Sequence, residues 1–107
     1  MINVSIRYVA ADKESILSYA PEDSFALVCY INVIRSINQN KIRSWTRELI
    51  NASLSVGGTF YLPYHLYATK DQFQKAYPKY HGFLEIKKKH DPTSRFINSL
   101  CIEYLTC

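Results

Sequence analysis

The side chains able to do chemistry are thinly spread over these 107 residues and do not assemble into a recognisable self-contained site. His65, His81 and His90 are scattered, and each reads as a surface or capping histidine before it reads as a ligand. Cys29, Cys101 and Cys107 share no metal-ligand spacing, so no metal site is expected. There is no P-loop, no Gly-x-Gly-x-x-Gly turn and no nucleophile elbow. Gly57-Gly58 is a weak sign of phosphate binding, because a helix C-cap explains it better. What remains is a set of polar and phenolic residues: Ser5 and Arg7, Tyr30 and Asn32, then Tyr61, Tyr64 and His65, and Asn98 near the end. None is a complete catalytic machine by itself.

Composition narrows the classes. A hydrophobic content of 48% with 21% charged residues is that of a folded domain, and the length fits one domain, residues 1–107. The net charge of +4 is mildly basic. Lys87-Lys88-Lys89 would attract an anion, a nucleic acid or an acidic protein face, although a solvated helix face is the plainer explanation. Nine Tyr and five Phe among basic residues would also suit a nucleic-acid stacking surface, but the aromatic-glycine motif of an RRM is missing. The first residues carry no secretory signal pattern, and no apolar run approaches the roughly 20 residues that cross a bilayer. A cytoplasmic, reducing location without membrane contact is expected, with Cys29 buried as a small apolar side chain.

The elements that must position these residues follow from periodicity. Asn3 to Val9 alternates as a strand, with Val4, Ile6 and Tyr8 on one face and Ser5, Arg7 and Val9 on the other. The polar stretch Ala10 to Glu22 reads as a loop. Ser24 to Val33 is apolar on both faces and predicts a central strand covered on both sides. After a connector over Ile34 to Lys41, a stripe of Ile42, Trp45, Leu49, Ala52 and Val56 predicts a helix that ends at Gly57. Thr59 to Tyr64 reads as a short aromatic strand, with Pro63 at its end. Thr69-Lys70-Asp71-Gln72 is a capping box opening a short helix through Tyr77. A last helix spans Tyr80 to His90, stopped by Asp91-Pro92, and Arg95 to Asn98 is expected to be extended. The order predicts an α+β fold, an antiparallel sheet with helices on one face.

The ordered series Gly57-Gly58-Thr59-Phe60-Tyr61-Leu62-Pro63-Tyr64-His65, Tyr77-Pro78 and Asp91-Pro92-Thr93-Ser94-Arg95-Phe96-Ile97-Asn98 resembles the C-terminal end of a family of FAD-linked oxidases. These are the oxidases of the vanillyl-alcohol oxidase and para-cresol methylhydroxylase superfamily, especially the sugar and aldonolactone oxidase branch. The resemblance extends forward to Ser5-Ile6-Arg7-Tyr8-Val9 and Asp23 to Val28. It implies a portion of the cap (substrate) domain, with the larger FAD-binding domain absent from the chain. In relatives the first strand carries a Glu-x-Arg toward flavin and substrate. Ser5 replaces that acid, and Arg7 keeps the arginine. Where many relatives place a lysine over the flavin, Tyr64 stands.

The resemblance thus implies Arg7 and Tyr64 as catalytic residues, Ser5, Tyr30, Asn32, Tyr61 and His65 as substrate contacts, and Asn98 near the cofactor. Flavin-dependent alcohol oxidation needs a group that accepts the hydroxyl proton while hydride leaves for the flavin. A tyrosine does so when a nearby cation lowers its pKa from about 10, a charge Arg7 would supply unless it serves instead to neutralise the anionic reduced flavin. The implied cofactor is FAD, held by a binding domain in cis or in trans, and the implied substrate is a small sugar-like or lactone-like alcohol. The isolated chain is expected to be colourless and inactive. It is also expected to self-associate through the exposed face bearing Arg7, Tyr30, Asn32 and Tyr64. The reading from another class is a small basic, aromatic-rich module for nucleic acid or another anionic partner.

Overall fold

The computed structural model describes residues 3–32 and 37–106. Two strands, β1 (Asn3–Val9) and β2 (Ser24–Tyr30), are followed by α1 (Gln39–Ser55), α2 (Lys70–Ala76), α3 (Tyr80–His90) and a C-terminal π-helix (Cys101–Leu105). The fold is α+β. Its sheet is a two-stranded antiparallel ribbon in which Ser5 pairs with Val28, Arg7 with Ala26 and Asn3 with Tyr30. Ser5, Arg7, Val28 and Tyr30 therefore share one face, as alternation predicts. Val4, Ile6, Tyr8, Phe25 and Leu27 occupy the other and are all exposed.

β2 is thus not a central strand covered on both sides. It pairs only with β1 among the described residues, and none of its side chains is buried. The strand stops at Tyr30. Ile31 and Asn32, expected to continue it, are irregular, while Val33 and residues 34–36 of the connector lie outside the described residues.

The core lies among the helices. Ile50, Ala68, Phe73, Ala76, Tyr77, Cys101, Tyr104 and Leu105 form one buried cluster, closed by α1, α2 and the π-helix. Phe73 stacks on Tyr104 with ring centres 4.9 Å apart and planes 8° from parallel. The radius of gyration, 15.0 Å, exceeds the ~13 Å of a rounded domain of this length, consistent with a ribbon standing outside the core.

Several local signals act as the sequence dictates. Thr69 Oγ1 accepts from the Gln72 amide at 3.1 Å, and Gln72 Oε1 accepts from the Thr69 amide at 3.0 Å, completing the capping box of α2. Gln72 is itself buried, and its amide nitrogen donates to the Arg47 carbonyl and to Asn51 Oδ1, which ties α2 to α1. α1 ends in a Schellman turn. Gly58 donates to the Ser53 carbonyl at 2.8 Å, and Gly57, at φ +76°, donates to that of Leu54 at 3.1 Å. α3 spans the predicted residues and places Lys87, Lys88 and Lys89 in its last turn, where cations favour the helix dipole.

Three expectations are corrected. α1 begins at Gln39, and its buried residues are Thr46 and Ile50, so it is rotated away from the apolar stripe. Leu49, Ala52 and Val56 of that stripe are exposed. Thr59 to Tyr64 is not a strand. Its backbone is held instead by single bonds, Ser53 Oγ donating to the Thr59 carbonyl at 2.7 Å and the Tyr77 hydroxyl donating to that of Phe60. Arg95 to Asn98 hold no helix, and helix resumes just beyond them at residues 99–100. Cys29 is half-buried and a free thiol, whereas Cys101 is buried and disulfide-bonded.

Candidate functional site

Ser5 and Arg7 stand two residues apart in β1 and so project to the same side. That side is half-covered by its small neighbours: Ser5, Val9, Ser24, Ala26 and Val28 are partly buried, while Arg7 and Tyr30 are exposed. The Ser5 hydroxyl is buried and has no hydrogen-bond partner among the described residues. A buried hydroxyl left without a partner costs about 1–3 kcal/mol, so it is poised to take one. The Arg7 guanidinium forms no ion pair or hydrogen bond among the described residues. One strand face thus carries a buried hydroxyl without a partner beside an exposed, unanswered guanidinium and the Tyr30 ring.

The other predicted residues are carried elsewhere. Asn32 lies past the end of β2 and is exposed, its carbonyl accepting from Asn38 Nδ2 at 3.2 Å. Tyr64 follows Pro63 in a bend and is 89% exposed, with no ring or hydrogen-bond contact to Arg7 among the described residues. Tyr61 stacks on Tyr19, ring centres 5.9 Å apart and planes 24° from parallel. His65 stacks on the buried ring of Tyr67 at 5.2 Å. The Arg43 guanidinium covers the same ring at 5.4 Å, and Arg47 Nε donates to the Tyr67 carbonyl at 2.7 Å. These contacts hold His65 against the helical unit. Arg7 and Tyr30 share a face as expected; no contact gathers Asn32 or Tyr64 onto it.

Asn98 has a definite structural task. Its Oδ1 accepts from the Cys101 amide at 2.9 Å and its carbonyl accepts from Ile102 at 3.1 Å, so it caps the terminal helix. Its amide NH2 has no partner among the described residues and remains a donor. Sequence reasoning missed this cap, although Asn98 ahead of Leu100, Cys101, Tyr104 and Leu105 is a readable helix start.

It also missed the role of Asp91. Beyond stopping α3, this carboxylate accepts from the amides of Arg95 at 2.8 Å and Phe96 at 3.0 Å and pairs with Lys87. The Lys87 hydrogen bond, then those two amides, lower its pKa to about 2. Burial, with smaller contributions from Tyr61 and Tyr19, pushes the Tyr77 phenol up to about 12, so it remains a hydrogen-bond donor to Phe60.

Among the described residues no group of three or more His, Cys, Asp or Glu side chains is arranged to hold a metal, and no helix is long and apolar enough to cross a membrane. No curated protein and no solved structure matches the chain. A family model, described as D-arabinono-1,4-lactone oxidase, matches residues 1–106. With the Gly57-Gly58 turn, the Ser5-x-Arg7 strand and the Asp91-Pro92 stop all falling inside that match, the chain belongs to the D-arabinono-1,4-lactone oxidase family.

Proposed function

We propose that the chain forms the substrate-side wall of the flavin pocket in an oxidase of sugar-like or lactone-like alcohols. Oxidases of this family are FAD-dependent oxidoreductases. In this reading the FAD-binding domain acts in cis or in trans. The observation that carries the reading is the β1–β2 face on which the partnerless Ser5 hydroxyl and the exposed Arg7 guanidinium lie side by side in register.

The residues present fit one part of the cofactor. Among the described residues no glycine-rich phosphate cradle stands at a helix N-terminus to seat the nucleotide half. The Ser5–Arg7 face and the free amide NH2 of Asn98 suit the polar edge of a flavin ring or the oxygens of a polyol. FAD, when bound, takes up the hydride released from the substrate carbon. This chain orients the alcohol: Arg7 donates to its oxygens, Ser5 exchanges a hydrogen bond with a neighbouring hydroxyl, and Tyr30 bounds the ring. Tyr64 is the phenol set to hold the released proton once the partner domain covers it. The cytoplasmic location expected from the sequence is kept as part of the same proposal.

Mixing the purified chain with an FAD-binding domain of the family tests this. Wild type should restore oxidation of an aldonolactone or alditol. Arg7→Ala should lower turnover by roughly 100-fold at unchanged flavin absorbance, the scale of losing one positioned polar group. A chain that binds stoichiometric flavin alone, or an Arg7→Ala complex with wild-type kinetics, would overturn the proposal.

A further inference from the structure

We infer a second binding site, for a compact apolar ring, beneath the stacked Tyr19 and Tyr61. A hollow of about 150 Å³ opens there, lined only by Leu, Phe and Tyr, with Leu62, Leu66, Phe73 and Leu100 on its walls. It exists because segments of different origin meet without regular pairing. The loop carrying Leu17 and Tyr19, the irregular stretch Phe60–Leu66, α2 and the terminal helix all reach it. Their backbones are pinned nearby. Thr59 Oγ1 donates to the Tyr19 carbonyl, the Tyr77 hydroxyl to that of Phe60, and Ser53 Oγ to that of Thr59. The opening is therefore built into hydrogen-bonded structure, not left by a loose loop.

The chemistry of the wall selects the occupant. A buried water needs two to four polar partners; the Tyr77 hydroxyl already spends its proton on Phe60, and of the lining residues Tyr104 alone has a buried hydroxyl without a hydrogen bond, too few to hold one. Apolar cavities of about this volume stay dry and accept benzene-sized molecules. At the mouth, Tyr19 and Tyr61 are both exposed and stack on each other, which gives the opening an aromatic rim for a flat molecule to rest against. The site thus takes a ring of about six carbons, or a branched chain of similar bulk, with any hydroxyl left at the tyrosine rim. The bare face of β1–β2 is also apolar, but nothing encloses a ligand there. Neither Ser5 nor Arg7, which carry the flavin reading, lines the hollow; Tyr61, implied as a substrate contact by the family resemblance, is the one residue the two share.

Benzene titrated into the whole chain, followed by methyl and amide NMR and by thermal melts, is the test. Saturable shifts should centre on Leu62, Leu66 and Leu100, and the unfolding midpoint should rise by about 5 °C at tenfold excess over Kd. Leu100→Phe, which fills the hollow, should weaken binding at least about tenfold. Because that change touches the core, Tyr61→Ala provides a second arm. Tyr61 is 66% exposed, so its loss should weaken benzene binding several-fold with little effect on the ligand-free melt. Glycerol, which matches the polar edge of a substrate but not this wall, should leave these signals unmoved. Absence of saturable shifts, shifts centred on Phe25 and Leu27, or full binding by a folded Leu100→Phe variant would overturn the site.

Discussion

Phe25 and Leu27 on β2 are 77% and 59% exposed, whereas Phe73 and Leu105, the same residue types in the helical unit, are each 2% exposed. Both pairs carry the sequence signal of burial, and only the second finds cover within the described residues. The helical unit closes its own core through α1, α2 and the terminal helix. The ribbon meets no comparable layer, and two strands with one bare apolar face are marginal by themselves. Apolar patterning records what a segment is covered by in its working state, including surfaces contributed by other parts of an assembly. Among the described residues the helical unit covers its own apolar side chains, and the ribbon leaves one face of its own bare.

Alanine at Phe73 and at Leu27 separates the two regions most sharply. Phe73→Ala should cost about 3–5 kcal/mol of unfolding free energy, and Leu27→Ala in the isolated chain no more than about 0.5 kcal/mol. Urea melts read both. Equal losses would mean that the ribbon is covered in solution. The same variants sharpen the point in sedimentation runs. Wild type should associate as concentration rises; loss of association in Leu27→Ser would put the contact on the bare apolar face, and its persistence would leave the expected face of Arg7 and Tyr30 as the one buried.

The glycine pair gives the next effect, and the two should differ. A β-carbon at Gly58 would lie 2.5 Å from Ser53 Oγ and 2.9 Å from the Ser53 carbonyl oxygen, so backbone must shift. Gly58→Ala should therefore destabilise by about 1–3 kcal/mol. At Gly57 the space is open and only the positive φ is strained, so Gly57→Ala should cost about 1 kcal/mol. Melting midpoints in which Gly57→Ala is the worse of the two would contradict this turn geometry.

The smallest effect is a pH dependence from Asp91. Its folded pKa of about 2 lies below the ordinary 3.8, so the unfolded chain takes up the proton first as pH falls. The contribution is complete above about pH 4 and fades between about pH 4 and pH 2. The gap in urea midpoint between wild type and Asp91→Asn should thus be constant near neutrality and narrow over that acid window. A gap that widens on acidification would mean that Lys87 and the two amides do not hold the carboxylate.

Local chemistry was readable where it is self-contained. The capping box at Thr69 and Gln72, the stop of α3 at Asp91-Pro92 and the positive φ at Gly57 need only neighbours within a few residues. The shared side of Ser5, Arg7 and Tyr30 followed from alternation and register. The rotation of α1 was not readable, since the helix carries two apolar stripes. Its core side is fixed by distant partners, such as the bonds from Gln72 to Arg47 and Asn51. Thr59 to Tyr64 has the aromatic content of a strand but no strand lies beside it among the described residues. Tyr64 and Asn98 were linked to the strand face by resemblance alone, and the bonds that fix Asn98 are those of a helix cap.

The π-helix contributes Cys101, Tyr104 and Leu105, three of the eight buried residues of the core. They follow α1 and α2 in sequence and are synthesised after them. Until they emerge, Ile50, Phe73 and Tyr77 have no far wall to close against, and α1 and α2 stand as amphipathic helices without a finished interior. A chain cut at Leu100 would therefore lose the native state of the helical unit, not merely a few residues.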